Sequence, residues 1–249
     1  MAQTGLFTRL RTVDSTNNYA MGMVHAGMAR HGMTWFADEQ TNGKGQRGKS
    51  WKSAPGESIL MSVVLDPAGI PPHEPFRLLG TIALICRQFL GEITGQEFRV
   101  KWPNDLYWRD RKAGGILIEN VWHGRDWKFC VIGVGINVNQ DEFDLALKNP
   151  VSLRGITQNS YDPAELAFAL SKRIVQGFNG LADLDVPGFV EAYNRVLYKQ
   201  GEEVLLKVDG NQVAATIQRV DEDGKLVIDG PAAGRYAFGE VEWVLDEEL

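Results

Sequence analysis

The sequence predicts an α+β fold: a mixed or antiparallel sheet with packed helices, followed by a small C-terminal β-barrel. Three observations carry this expectation. A long helical pattern runs from Glu74 to Glu92, with Leu78, Ile82, Ile85 and Phe89 on one face. Leu79, Ala83, Cys86 and Leu90 widen that stripe, so the helix is expected to be covered on two sides. Phe98 to Trp102, Gly115 to Val121 and Trp127 to Val138 are β-branched and aromatic, and polar turns such as His123-Gly124-Arg125-Asp126 punctuate them as successive strands. After Gln200-Gly201 the chain changes to short alternating segments separated by turns of Asp, Gly or Asn.

The remaining elements follow in order. Asp14-Ser15-Thr16 offers N-capping side chains to a short helix from Asn17 to Ala26, and Gly27 stands where a C-terminal stop belongs. Met33 to Asp38 and Ser58 to Leu65 read as strands on either side of a loop rich in Gly, Lys and Ser. Asp162-Pro163-Ala164-Glu165 is an N-cap, a first-turn proline and an N3 glutamate, and starts a helix to Gln176. Another helix spans Pro187 to Tyr198. Glu203 to Val208, Gln212 to Val220, Lys225 to Ile228 and Arg235 to Phe238 are the strands expected to make the barrel. The domain boundary is therefore placed at Tyr198, giving a domain of residues 1–198 and a small one of residues 199–249.

Bulk properties narrow the function classes. The 249 residues are 44% apolar and 23% charged, ordinary for a soluble globular chain with a substantial core. The net charge of -6 opposes non-specific binding to nucleic acid or an anionic membrane. Any bound anion must therefore be held by a local concentration of positive charge. Cys86 and Cys130 each sit in an apolar run and read as reduced core thiols. With no apolar run near the roughly 20 residues that span a bilayer, and no signal pattern at the start, the chain reads as a cytoplasmic protein. His25, His31, His73 and His123 show no metal-ligand spacing, so no zinc site is expected.

Three segments carry the chemistry. Between Gln40 and Gly56 there are four basic residues, four glycines and no acid, within Gly43-Lys44-Gly45-Gln46-Arg47-Gly48-Lys49-Ser50-Trp51-Lys52 and its flanks. Glycine lets backbone N–H groups approach a ligand, and Lys and Arg neutralise phosphate oxygens. The spacing is neither a Walker loop nor a dinucleotide fingerprint. Lys101-Trp102-Pro103-Asn104-Asp105 ends a strand in a proline-forced turn that presents an amide beside a carboxylate. Lys112-Ala113-Gly114-Gly115-Ile116-Leu117-Ile118-Glu119 places a lysine before two glycines that open a buried strand, where a ligand can come close. Read singly, each has a plainer alternative: a solvated loop, a capped turn, a β-bulge.

In this order and at these separations, the three segments resemble biotin protein ligases. Asp14-Ser15-Thr16-Asn17 ahead of them and Gly133-Val134-Gly135-Ile136-Asn137 after them fit the same pattern, and Phe238-Gly239-Glu240-Val241 matches it more loosely. The family's commonest loop is written with arginines, G-R-G-R-R-G-R. Here Lys44, Gln46 and Lys49 replace three of them, and one charge is lost at Gln46. Many members carry an N-terminal winged helix, whereas here the Asp14-Ser15-Thr16-Asn17 motif comes almost at once, so the chain resembles the single-function type.

The resemblance implies a class II synthetase-like catalytic domain and an SH3-like C-terminal barrel. It implies activation of biotin by ATP to the adenylate, then transfer to a lysine of a carboxylase biotin-carrier domain, with Mg²⁺ assisting. Ser15, Thr16, Asn17, Gln40, Lys44, Gly45, Gln46, Trp51, Lys112 and Gly115 are then expected at biotin. Gly43, Lys44, Gly45, Gln46, Arg47, Gly48, Lys49, Trp51, Asn104, Lys112 and Asn137 are expected at ATP or the adenylate. Lys112, Arg47 and Asp105 are the expected catalytic residues, and Asp105 is also the candidate in the Mg²⁺ shell. Because biotin's ureido group cannot be buried unpaired, hydroxyls and amides must answer it. Many relatives are dimers, so a homodimer stays open. A lipoate-type ligase is the nearest alternative enzyme, and a non-catalytic biotin or nucleotide sensor is the alternative of another class. No nucleic-acid or membrane partner is expected.

Overall fold

The computed structural model describes residues 6–67, 70, 75–181 and 185–244. Glu74, where the long helix was expected to begin, and His73 lie outside them. Along the chain come β1 (Phe7–Val13), α1 (Thr16–His25), β2 (Thr34–Gln40), the two-residue strands β3 (Gly43–Lys44) and β4 (Ser50–Trp51), β5 (Ser58–Leu65) and α2 (Pro75–Thr94). Next are β6 (Arg99–Lys101), β7 (Asp105–Trp108), β8 (Arg111–His123), β9 (Asp126–Asn137), α3 (Leu153–Thr157), α4 (Pro163–Asn179) and α5 (Val186–Arg195). Five strands finish it: β10 (Glu203–Val208), β11 (Asn211–Val220), β12 (Leu226–Asp229), β13 (Gly234–Tyr236) and β14 (Val241–Trp243).

The main sheet has seven strands in the order β1-β2-β5-β9-β8-β7-β6. Only β1 and β2 pair in parallel; the other ladders are antiparallel, so the sheet is mixed as the sequence predicts. Every residue of β5 is buried, because helices cover both faces of the sheet at that strand. Ile59, Met61, Val63 and Leu65 point to a core shared with Leu78, Ile82 and Phe89 of α2 and Ile174 of α4. Val64 points the other way, into a smaller cluster with Ala20 and Val24 of α1, Trp35 and Val131. The α2 stripe is thus covered on two sides, with α4 and α5 against it.

Local signals explain the helix ends in part. Asp162 caps α4 by accepting from the N–H groups of Ala164 and Glu165, as its sequence predicts. At α1 the expectation fails: Ser15 occupies the N-cap position, yet its hydroxyl makes no capping bond. Asp14 instead accepts from the Asn18 side chain. Gly27 adopts φ +69°, the left-handed backbone that suits a stop. Cys86 and Cys130 are buried free thiols, and burial pushes both pKa values up to about 12.

The C-terminal strands correct one expectation. They form an open five-stranded sheet, β13-β12-β11-β10-β14, where a barrel was expected. β13 pairs with β12 and β14 with β10, each through three residues, and no ladder joins the two edges among the described residues. This sheet is tightly fastened to the rest. Leu206, Ala215, Ile217, Leu226 and Ile228 belong to the same buried core as α2. The Asn194 amide clips Val220 at both its carbonyl (2.8 Å) and its N–H (2.7 Å), and the Trp102 indole N–H donates to the Gly224 carbonyl at 3.0 Å. No described helix is long and apolar enough to cross a membrane.

Candidate active site

A cleft of about 750 Å³ opens between the main sheet, the β3–β4 hairpin and the C-terminal sheet. Seven cationic side chains line it (Lys44, Arg47, Lys49, Lys52, Lys101, Lys112 and Lys148), against two acids, Asp105 and Glu242. In a chain of net charge -6, that reversal of sign focuses a positive potential where an anion can enter.

One end of the cleft is a set of small buried polar groups at the start of α1. Gln40 Oε1 accepts from the Thr16 N–H at 2.7 Å and from its hydroxyl at 3.0 Å. The Ser62 hydroxyl lies 2.8 Å from Thr16 Oγ1 and 2.6 Å from Asn17 Oδ1. Asn17 Nδ2 donates to Glu119 at 2.7 Å, and Glu119 also receives Lys44 at 3.4 Å. Gly133 has to be glycine, since a Cβ there would collide with the Asn17 amide. Ser15 is buried beside them. Trp51, Leu60, Leu117 and Val134 supply the apolar wall. Such a surround suits a compact apolar molecule carrying a few strong hydrogen-bonding atoms. Ser62 and Glu119 were not among the expected site residues. Ser62 could have been noticed as a hydroxyl in the middle of an apolar strand, and Glu119 as the last residue of the Lys112 motif.

The other end holds the charges. Lys112 Nζ stands 2.7 Å from Asp105 Oδ1 and 6.0 Å from the centre of the Trp51 ring. Gly115 leaves room for that pair, because a Cβ there would lie 3.0 Å from Asp105 Oδ1. Asn104 Nδ2 donates to the Ile116 carbonyl at 2.6 Å, and Gln46 Nε2 reaches the same oxygen at 3.3 Å. Both amides thus hold β8 at Ile116. Trp51 lies flat enough on β9 that a Cβ at Gly135 would come within 2.7 Å of its ring, and its buried indole N–H has no partner among the described residues.

Other expected residues have different positions. Gly43 and Gly48 do not line the cleft. A Cβ at Gly43 would strike the Trp51 carbonyl, and Gly48 supplies φ +74° at the loop's bend. Arg47 is exposed, with φ 56°, and leans toward Gly239. There it also borders a second cavity of about 490 Å³ with Lys207, Arg235 and Glu240. Asn137 borders the cleft, but its amide is engaged: Nδ2 donates to the Val151 carbonyl at 3.2 Å and Oδ1 accepts from Gln140 at 3.2 Å. Gly45 and Lys49 line the cleft with Gln46. Phe238, Val241 and Trp243 bring the C-terminal sheet to its wall; Phe238 and Val241 belong to the loosely matching segment, whereas Trp243 was not singled out.

Metal chemistry finds little here. Among the described residues no group of three or more His, Cys, Asp or Glu could hold an ion, and Asp105 is taken by Lys112. Mg²⁺ is ordinarily held by one or two carboxylates together with substrate phosphates, so Asp105 alone makes no protein cage and would hold the ion only beside the triphosphate.

Lys101 was quoted within its motif but not among the expected site residues, and its burial singles it out. It is 7% exposed. Burial lowers its pKa from the ordinary 10.5 to about 8, with Asp105 opposing the shift and Lys112, Lys49 and Lys148 adding to it. Between these values the unfolded chain holds a proton that the folded chain has lost, so stability should rise with pH across that window. The penalty should be fully present below about 8 and absent above 10.5. A span of this width corresponds to about 3 kcal/mol. Urea unfolding of the wild type and of Lys101→Met from pH 7 to 11 checks this. A slope that Lys101→Met fails to flatten would show that Lys101 is not its source.

With the geometry in place, comparison with known proteins gives the family. Residues 10–137 match the model of the biotin/lipoate A/B protein ligase family. The chain belongs to this family. All the expected site residues lie within the matched biotin/lipoate ligase segment, whereas Phe238 and Trp243 lie outside it. The chain is 29% identical over 243 residues to the biotin--[acetyl-CoA-carboxylase] ligase of Paracoccus denitrificans, spanning 94% of this chain and 98% of that one. It is 35% identical over 131 residues to the bifunctional ligase/repressor BirA of Escherichia coli, spanning 52% of this chain and 39% of that protein. The biotin protein ligase from Aquifex aeolicus in complex with biotin and ATP superposes with a TM-score of 0.82 at 26% identity, over 97% of this chain and all of that one.

Proposed function

We propose that this protein is an ATP-dependent biotin protein ligase, which makes biotinyl-5'-AMP and transfers biotin to a lysine of a carboxylase biotin-carrier domain. The observation that carries this is the cleft's two-ended character. A pocket of hydroxyls and amides (Thr16, Asn17 and Gln40, backed by Ser62) opens onto a cation, Lys112, in a basic surround. Biotin has the matching shape: a polar ureido head, an apolar body and a carboxylate at the far end.

Two anions must meet in the first step, and cations must offset their repulsion. A biotin carboxylate oxygen attacks the α-phosphorus of ATP, the bond to pyrophosphate breaks, and the mixed anhydride forms. On this reading Lys112 bridges the carboxylate and the phosphate, and Arg47 and Lys49 meet the phosphates. Trp51 and Gly135 bound the nucleotide end, and Asn104 and Asn137 hold the backbone around Lys112 and Ile116. Mg²⁺ entering with the triphosphate would supply charge neutralisation there. In the second step the acceptor amine attacks the carbonyl carbon and AMP leaves. A lysine amine with a pKa near 10.4 must first lose its proton, and Asp105 is the carboxylate assigned here to orient it. On this reading residues 199–249 are the counterpart of the family's SH3-like domain and close the cleft through Phe238 and Trp243.

A lipoate-type ligase would use the same adenylation chemistry. Exchange of labelled pyrophosphate into ATP, measured with biotin and separately with lipoate, tests the reading. Exchange that depends on biotin supports it; exchange with lipoate alone would overturn it.

Gln46 provides a quantitative check. It is neutral and already bonded to the Ile116 carbonyl. Gln46→Arg keeps a donor there and adds a charge, which should slow adenylate dissociation by roughly five-fold, or about 1 kcal/mol, at low salt. The gain should vanish at high salt. Equal dissociation rates at low salt would mean that the neighbouring cations already saturate the phosphate.

A further inference from the structure

Lys101 is a buried cation whose ammonium forms no ion pair among the described residues. It reaches the Tyr107 hydroxyl at 3.3 Å and lies 5.0 Å from the centre of the Tyr107 ring and 5.1 Å from that of Trp243. A phenol and two rings are weak compensation for an ammonium taken out of water, and a buried charge left in that state is costly. Its pKa, lowered to about 8, reflects the same cost.

The backbone register indicates what the charge is for. Lys101 is the cross-strand partner of Asp105, and Asp105 is the partner of Gly115. Directly opposed residues project from one face of a sheet, so Lys101 and Asp105 are neighbours on the face that floors the cleft. Asp105 is meanwhile held by Lys112 at 2.7 Å. One ammonium cannot serve both Asp105 and the reacting anions. If Lys112 moved to the carboxylate and phosphate, Asp105 would face the triphosphate as an uncompensated anion.

We propose that Lys101 is a positioning residue that takes over the Asp105 carboxylate when Lys112 leaves it for the reacting anions. The inference rests on the ligase reading. Other charged groups near Lys101 serve less well. Lys49 and Lys148 are exposed and hydrated, and Glu242 on β14 is exposed to water. Lys101 is already dehydrated and stands directly across the ladder from Asp105. The exchange keeps the local charge constant and lets Lys112 move without leaving a carboxylate to repel the nucleotide.

The test is a double-mutant cycle in biotin-dependent pyrophosphate exchange, with Lys101→Met, Asp105→Asn and the two together. Lys101→Met should lower kcat by about ten-fold or more with little change in the biotin Kd by calorimetry, and should add almost nothing once Asp105 is Asn. Lys101→Arg should recover part of the loss, and Lys101→Gln should behave as Lys101→Met. Melting curves show whether each variant is folded, and removing a buried charge should not lower the Tm. Wild-type kcat in Lys101→Met, or an equal loss in the Asp105→Asn background, would overturn the proposal. Absence of exchange in the wild type would instead overturn the ligase reading, and this inference with it.

Discussion

Replacing Lys112 by alanine should lower biotin-dependent pyrophosphate exchange by roughly 10²- to 10³-fold, the usual cost of removing one preorganised group aimed at developing charge. The fold should survive. Lys112 is held through its backbone: its N–H donates to the Asn149 carbonyl at 2.7 Å, and its own carbonyl accepts from Val151 at 2.9 Å. The side chain is about one-third exposed and its ion pair with Asp105 faces the cleft, so the Tm should move by little. The measurement is exchange at saturating biotin and ATP beside a melting curve. Near-normal exchange in a folded Lys112→Ala protein would remove Lys112 from the role given to it here.

Gly135→Ala should produce the second large effect, by steric rather than electrostatic means. A Cβ at this position would lie 2.7, 2.9 and 3.0 Å from three atoms of the Trp51 indole. A rigid bicyclic ring cannot yield by rotating one methyl group, so the whole β3–β4 hairpin must lift. Because that hairpin carries the loop from Gly45 to Lys49, the shift should spread to the phosphate contacts. Displacements near 1 Å in such contacts cost roughly 10²-fold in rate, and the KM for ATP should rise by about ten-fold at least. Biotin affinity should change less, since Thr16, Asn17 and Gln40 lie on α1 and β2. Exchange kinetics with ATP varied at fixed biotin check this. An unchanged KM would place the nucleotide away from Trp51.

Much of the fold was legible where local chemistry decided it. Ser58–Leu65 is apolar at both faces and becomes the fully buried β5. Asp162-Pro163 starts α4 where a cap and a first-turn proline belong. What escaped was decided at long range. β1 reads as a polar stretch with only Phe7, Leu10 and Val13 turned partly inward, and its parallel pairing with β2 has no local signature. β14 is three residues long, shorter than any periodicity can mark. The open form of the C-terminal sheet depends on which short edges fail to pair, and alternation alone cannot show that.

The site divides in the same way. The motifs presented the right residue types, and the cleft does collect Thr16, Gln40, Lys44, Trp51, Asp105 and Lys112 from six separate elements. Partnerships were invisible. Asn17 meets Ser62 and Glu119 across 45 and 102 positions of sequence. Lys101 is covered by the ring of Trp243, which lies far along the chain in the C-terminal sheet. Asn137 borders the cleft as expected of a site residue, but nothing in its motif showed that its amide also holds the Val151 carbonyl.

The central claim is that the cleft joins a biotin carboxylate to ATP and hands the product to an acceptor lysine. The direct measurement is transfer of labelled biotin to a purified biotin-carrier domain with MgATP, read by mass spectrometry on the modified residue. The account predicts one biotin per carrier on a single lysine, dependent on ATP and absent with lipoate, and strongly slowed in Lys112→Ala. Turnover of biotin to its adenylate with no transfer to any carrier lysine, or transfer that proceeds unchanged in Lys112→Ala, would contradict it.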